Sequence, residues 1–208
     1  MTQFAAALRV LPLSLMTAAL LAIQTGSTEA QDRPEYIEMA LGNPDAKVEM
    51  IEYASFTCPH CANFHHDVFP KIKENYIDTG QVHYRVREVF HNRPGLWAAI
   101  LARCGGPERY FGISDLLYNR QQSWANSDSA AHIIQRLEEI GRAAGLSDQQ
   151  INGCFTDAEG AKLLFDASNG FSEADGVTST PSFVINGELH SNAPYESLAA
   201  ILDEALTE

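Results

Sequence analysis

Apolar residues recur along the chain with two periods, and the changes of period mark the element boundaries. Residues 48–53 (VEMIEY) read as a strand that puts Val48, Met50 and Glu52 on one face. From Pro59 to about Tyr76 the spacing becomes helical: Cys61, Phe64, Val68 and Ile72 form an apolar stripe. Pro70 lies inside that helix and predicts a kink, and Thr79-Gly80 ends it. Residues 82–89 (VHYRVREV) alternate apolar and polar, as a strand does, with Arg85 and Arg87 on an exposed or edge face. Helical spacing then covers 96–104, 108–119, 129–144 and 157–173. Ser147 and Gln150 have the spacing of a capping box and open a further short helix. Residues 182–185 and 188–190 read as strands joined by the hairpin turn Asn186-Gly187. Leu198, Ile201, Leu202 and Ala205 give one face of a closing helix over 194–206. Residues 31–46 read as a polar lead-in.

The predicted order is strand, helix, strand, a block of helices, two strands, helix. This is an α/β chain whose first two strands are parallel, because a crossover helix joins them. The halves are 31–90 and 176–208, with 91–175 as a helical insertion.

Residues 1–30 do not fit this pattern. A single base, Arg9, precedes a mostly apolar run over 10–23, and small and polar residues follow to Ala30. That is the layout of a secretory signal peptide, with Gln31 as the expected mature start. The run is interrupted by Pro12, Ser14 and Thr17 and is short for a bilayer span; an uncleaved anchor is the alternative. The formal charge of −13 disfavours nucleic acid as a partner.

All four cysteines follow the leader, in a compartment where disulfides persist. Cys58 and Cys61 form a close pair; Cys104 and Cys154 stand alone, which suggests one working pair and one structural pair. In Cys58-Pro59-His60-Cys61, Pro59 suits the first helical position and makes Cys58 the N-cap. Its sulfur then faces free N–H groups at the positive helix end, which favour thiolate over thiol. A protonated His60 would add positive charge. Two alternatives are an inert disulfide and a metal site. A four-residue loop constrains little of the unfolded chain. His65 and His66 point about 100° apart on a helix, so both cannot easily face one ion with the cysteines.

The segment Ser55-Phe56-Thr57-Cys58-Pro59-His60-Cys61 closely resembles the active-site segment of the DsbA family, bacterial periplasmic disulfide oxidases. A second match is Gly176-Val177-Thr178-Ser179-Thr180-Pro181-Ser182-Phe183-Val184-Ile185-Asn186-Gly187, which resembles that family's cis-proline segment. The resemblance implies a thioredoxin fold with an inserted helical subdomain. It also implies a cis peptide at Thr180–Pro181 beside Cys58, where the Thr180 backbone meets a substrate strand. By the same resemblance Glu52 is a buried acid that relays a proton to or from Cys61. A second disulfide, Cys104–Cys154, is implied by similar alphaproteobacterial proteins; two buried free thiols are the alternative.

The expected function is donation of the Cys58–Cys61 disulfide to exported proteins in the periplasm, with no metal or organic cofactor. The resemblance adds a DsbB-like, quinone-linked membrane reoxidant. The chain is expected to be monomeric. Thr180 departs from the valine of the best-known pattern, which leaves an isomerase or reductase open. A non-catalytic CxxC binding protein is the reading from another class.

Overall fold

The computed structural model describes residues 1–2 and 35–208. Apart from its first two residues, the expected leader lies outside the described residues. Five strands are formed among them: Met39–Leu41 (β1), Val48–Ala54 (β2), Val82–Glu88 (β3), Ser182–Ile185 (β4) and Glu188–Ser191 (β5). They hydrogen-bond into one sheet of order β1-β3-β2-β4-β5. β2 and β3 are parallel, from Val48 opposite Val82 to Ala54 opposite Glu88. β4 runs antiparallel to β2, and β5 antiparallel to β4. Asn186 (φ 45°) and Gly187 (φ 89°) both take the left-handed conformation that a tight hairpin requires, which is why Asn-Gly stands there.

The central strand β2 is covered on both faces, hence its near-continuous burial. Val48, Met50, Glu52 and Ala54 face the main core with Tyr84, Val86, Phe183 and Ile185. Ile51, Tyr53 and Val184 face a smaller cluster closed by Val89, Phe171 and Val177.

The crossover begins as an α-helix, Pro59–Asp67 (α1), and resumes after Val68 as Phe69–Ile72 (α2). The break fits Pro70, which has no N–H to donate and whose ring crowds the preceding turn. The segment Lys73–Ile77 then widens into a π turn, with the Asp78 N–H donating to the Lys73 carbonyl at 2.8 Å. Nothing in the residue pattern announced that turn.

The insertion holds Arg93–Arg103 (α3), Pro107–Asn119 (α4), Gln121–Trp124 (α5), Ala130–Ala143 (α6), Asp148–Thr156 (α7) and Ala158–Ala174 (α8). The capping box forms at α7: the Ser147 hydroxyl accepts from the Gln150 N–H, and the Gln150 side chain accepts from the Ser147 N–H. A disulfide joins Cys104, at the end of α3, to Cys154 of α7, with Cα atoms 5.8 Å apart. The last helix is Tyr195–Thr207 (α9), which buries Leu198, Leu202 and Ala205. Residues 34–208 form one compact unit, so the insertion shares the body of the fold.

Two expectations are corrected. The polar lead-in contains β1, which pairs with β3 at Met39–Val86 and so places β3 inside the sheet. Arg85 and Arg87 are therefore not on an edge, and their side chains are only 18% and 12% exposed. Arg85 pairs with Glu38 and Glu49; Arg87 pairs with Glu38 and Asp175. These carboxylates let two guanidinium groups be half-buried on a sheet face.

Candidate active site

Cys58 closes the loop after β2 and is the N-cap of α1, with extended backbone (φ −84°, ψ 119°). Pro59 follows at the helix start, as its missing N–H favours. The loop is tied down from the insertion: the Gln121 amide donates to the carbonyls of Phe56 (2.8 Å) and Cys58 (3.0 Å). Gln121 sits on α5, an element the sequence pattern did not reveal. Asn92, the N-cap of α3, accepts from the Gly95 N–H at 2.9 Å and from the Thr57 hydroxyl at 3.3 Å.

Cys58 and Cys61 are free thiols, the first half-buried and the second fully buried. The peptide bond Thr180–Pro181 is cis, and the Thr180 carbonyl lies 3.4 Å from the Cys58 sulfur. Two segments about 120 residues apart thus meet at one sulfur.

The two thiols have opposite characters. The Cys58 thiol is lowered to about 5, chiefly by a hydrogen bond from the Cys61 thiol. Partial burial works against this; the Thr180 hydroxyl and the N–H groups of Cys61 and His60 work with it. The sulfur makes no ideal capping hydrogen bond. The N–H groups act on it at longer range, as the positive end of a helix does on an anion. The His60 ring is exposed, and the influence of this residue on Cys58 runs through its backbone N–H. The charge expected of the imidazole is not among the main causes. The Cys61 thiol is pushed well up, first by burial, then by its hydrogen bond to Cys58 and the nearby charge of Glu52. The Ser55 N–H donates to the Cys61 sulfur at 3.4 Å.

Glu52 is fully buried beneath the pair. Its Oε2 accepts from the Tyr84 hydroxyl and lies 3.1 Å from His65 Nε2. Its Oε1 has no protein partner. The His65 ring stacks on Tyr118 at 4.2 Å and 18°. Sequence reasoning weighed His65 only as a metal ligand and missed this role. Four residues after Cys61, it falls on the same helix face, a signal available in the spacing. His66 is exposed. Among the described residues, no three His, Cys, Asp or Glu side chains are grouped as a metal site.

His91 places Nε2 3.0 Å from the Thr180 hydroxyl. Of the aromatic residues, Tyr110, Tyr118 and Trp124 are buried in the core. A cavity of about 220 Å³ lies far from this chemistry, against the Cys104–Cys154 bridge, lined by Tyr36, Met39, Ile100 and Leu164. No helix among the described residues is long and apolar enough to cross a membrane.

A βαβ–ββα sheet with a cysteine pair at the first helix and a cis-proline beside it defines a class. The thioredoxin family profile matches residues 36–204. The chain belongs to the thioredoxin family. Among solved structures it is similar to Wolbachia pipientis alpha-DsbA1, with a TM-score of 0.76 and 30% identity over 84% of this chain and 93% of that one. Bacillus subtilis BdbD shares the fold, with a TM-score of 0.72 and 21% identity, covering 82% of this chain and 94% of that one. A Rickettsia bellii protein, provisionally named a protein-disulfide oxidoreductase, is 35% identical over 82% of this chain. The chain spans only 65% of that relative's length.

Proposed function

We propose that the chain is a thiol–disulfide oxidoreductase that donates the Cys58–Cys61 disulfide to exported proteins. The observation that carries this reading is the inequality of the two thiols: Cys58 is reachable and lowered to about 5, while Cys61 is buried and pushed up. A sulfur stabilised as thiolate is a good leaving group, so the oxidised pair passes its disulfide on readily.

A substrate thiolate attacks the Cys58 sulfur and breaks the bond to Cys61. Cys61 leaves with the electron pair and gains a proton through Glu52. A second substrate thiolate then attacks the substrate sulfur of the mixed disulfide and releases Cys58 as thiolate. The substrate leaves with a disulfide, and its two electrons remain in the two cysteine thiols. The Thr180 backbone, next to the cis peptide, pairs with the substrate strand. The proposed setting is the periplasm, after cleavage of the 1–30 leader. A DsbB-like membrane protein reoxidises the monomeric enzyme, which uses no cofactor.

The test is oxidation of a reduced, unfolded protein by the stoichiometric oxidised enzyme. The account expects disulfides to appear in the substrate, and Cys61→Ser, its Cys58 first capped as a mixed disulfide with a small thiol, to release that thiol and form a mixed disulfide at Cys58 with a substrate that carries one cysteine. Trapping at Cys104 or Cys154, or no transfer, would contradict it. Thr180 before Pro181 favours the second reading, an isomerase or reductase, whose pair would rest reduced.

A further inference from the structure

Glu52 on β2 lies among side chains as buried as itself. Cys61 of α1 and Tyr84 of β3 are fully buried, and Tyr118 of α4 is 4% exposed. His65 is the member of this group that reaches the surface, with 10% of its side chain exposed. Its ring is held in place by the stack on Tyr118 and by Phe69, 5.0 Å away.

A buried carboxyl that serves Cys61 must regain or lose its proton after every cycle, and it cannot do so without a path to water. Tyr84 and Tyr118 are poor carriers, because burial above all raises both phenols well above their ordinary value. Tyr110, the next phenol on α4, is raised in the same way. That leaves the imidazole, 3.1 Å from Glu52 Oε2. The distance fits one proton held by either atom.

We propose that His65 is a positioning residue that carries protons between Glu52 and water, so that the buried carboxyl can serve Cys61 repeatedly. This rests on the disulfide-exchange reading above and assigns that site its proton path. When Cys61 leaves as thiolate it takes a proton from the Glu52 carboxyl. The carboxylate is recharged from His65 Nε2, and the ring takes a proton from water at its other nitrogen. The net change is one solvent proton on the Cys61 sulfur, with Glu52 restored and His65 left neutral with its proton on the other ring nitrogen. Reoxidation of the pair reverses the path.

Two variants separate this role from packing. His65→Phe keeps a ring against Tyr118 but has no nitrogen; His65→Gln keeps a hydrogen-bonding group that does not carry protons. Single-turnover reduction of the oxidised protein by glutathione should slow about tenfold near neutral pH in both, with a flattened pH profile. Glu52→Gln should do the same, and adding His65→Phe to it should cause no further slowing. A wild-type pH profile in His65→Phe, or effects that multiply with Glu52→Gln, would overturn the proposal. A second readout needs neither catalysis nor the variants of His65. The ¹⁵N shifts of its ring, which report where the proton sits, should differ between oxidised and chemically reduced protein, and the difference should vanish in Glu52→Gln. Identical shifts in the two wild-type states would overturn the proposal. Absence of any exchange in the wild type would sink the oxidoreductase reading, and the ring shifts would still decide the proton coupling.

Discussion

Cys58 and Cys61 stand three residues apart at the start of one helix, whereas Cys104 and Cys154 stand 50 apart and join two helices of the insertion. The first pair is held as free thiols and the second is bridged. The chemical group is the same, so the surroundings make the difference. A four-residue ring restrains little of the unfolded chain, and opening it costs the fold little. At the helix start one of its sulfurs is favoured as an anion and the other is kept neutral by burial. The long ring ties α3 to α7 and removes much of the unfolded chain's freedom. One pair is placed to react, the other to restrain.

That contrast can be broken most sharply at Cys58. Cys58→Ala should reduce disulfide exchange to background while the circular dichroism spectrum and the Cys104–Cys154 bridge stay as they are; retained exchange would move the reactive centre elsewhere. Next in size is the double variant Cys104→Ala/Cys154→Ala. Closing a loop of 50 residues contributes up to about 4 kcal/mol on chain-entropy grounds, so denaturant unfolding should show a loss of that order at most. The Cys58 thiol should still titrate near 5, and a changed titration would show that the two pairs are coupled. Glu52→Gln should slow turnover with little change in thermal stability, since it removes the carboxyl that passes a proton to Cys61 and keeps a side chain of the same size in the buried site.

A smaller effect follows from linkage. The Cys58 thiol is lowered from its ordinary value of 9.0 to about 5 in the folded, reduced protein. The stabilisation is complete above the ordinary value and disappears as pH falls through about 5. The melting-temperature advantage of reduced over oxidised protein should therefore shrink as pH is lowered from 9 to 5. An advantage that grew on acidification would contradict the assignment. Smallest of all, Thr180→Val removes a hydroxyl that favours the thiolate. Thiolate absorbance should then place Cys58 above 5, and the glutathione equilibrium should move a few-fold toward the oxidised protein.

Much of this was legible in the sequence because it is written locally. The helix-start cysteine, the Asn186-Gly187 turn, the Ser147–Gln150 box and the kink at Pro70 each depend on neighbours a few residues away. The buried position of Glu52 was implied by the family resemblance, and its shared face with Val48 and Met50 agrees with it. What escaped depends on partners distant in the chain. β1 is three residues long and exists by pairing with β3. Arg87 is half-buried because Asp175 and Glu38 lie opposite. Gln121 reaches the Cys58 loop from a helix of four residues. His65 owes its place to Tyr118 and Glu52, from two other elements. Such contacts are set by tertiary packing, and no local period encodes them.

The central claim is that the Cys58–Cys61 pair is built to give its disulfide away. The direct measurement is its reduction potential in purified protein, by equilibration with glutathione. The account predicts an oxidising value, around −120 mV, where a lowered nucleophilic thiol places such a pair. A value near or below roughly −200 mV would contradict disulfide donation and favour a pair that rests reduced.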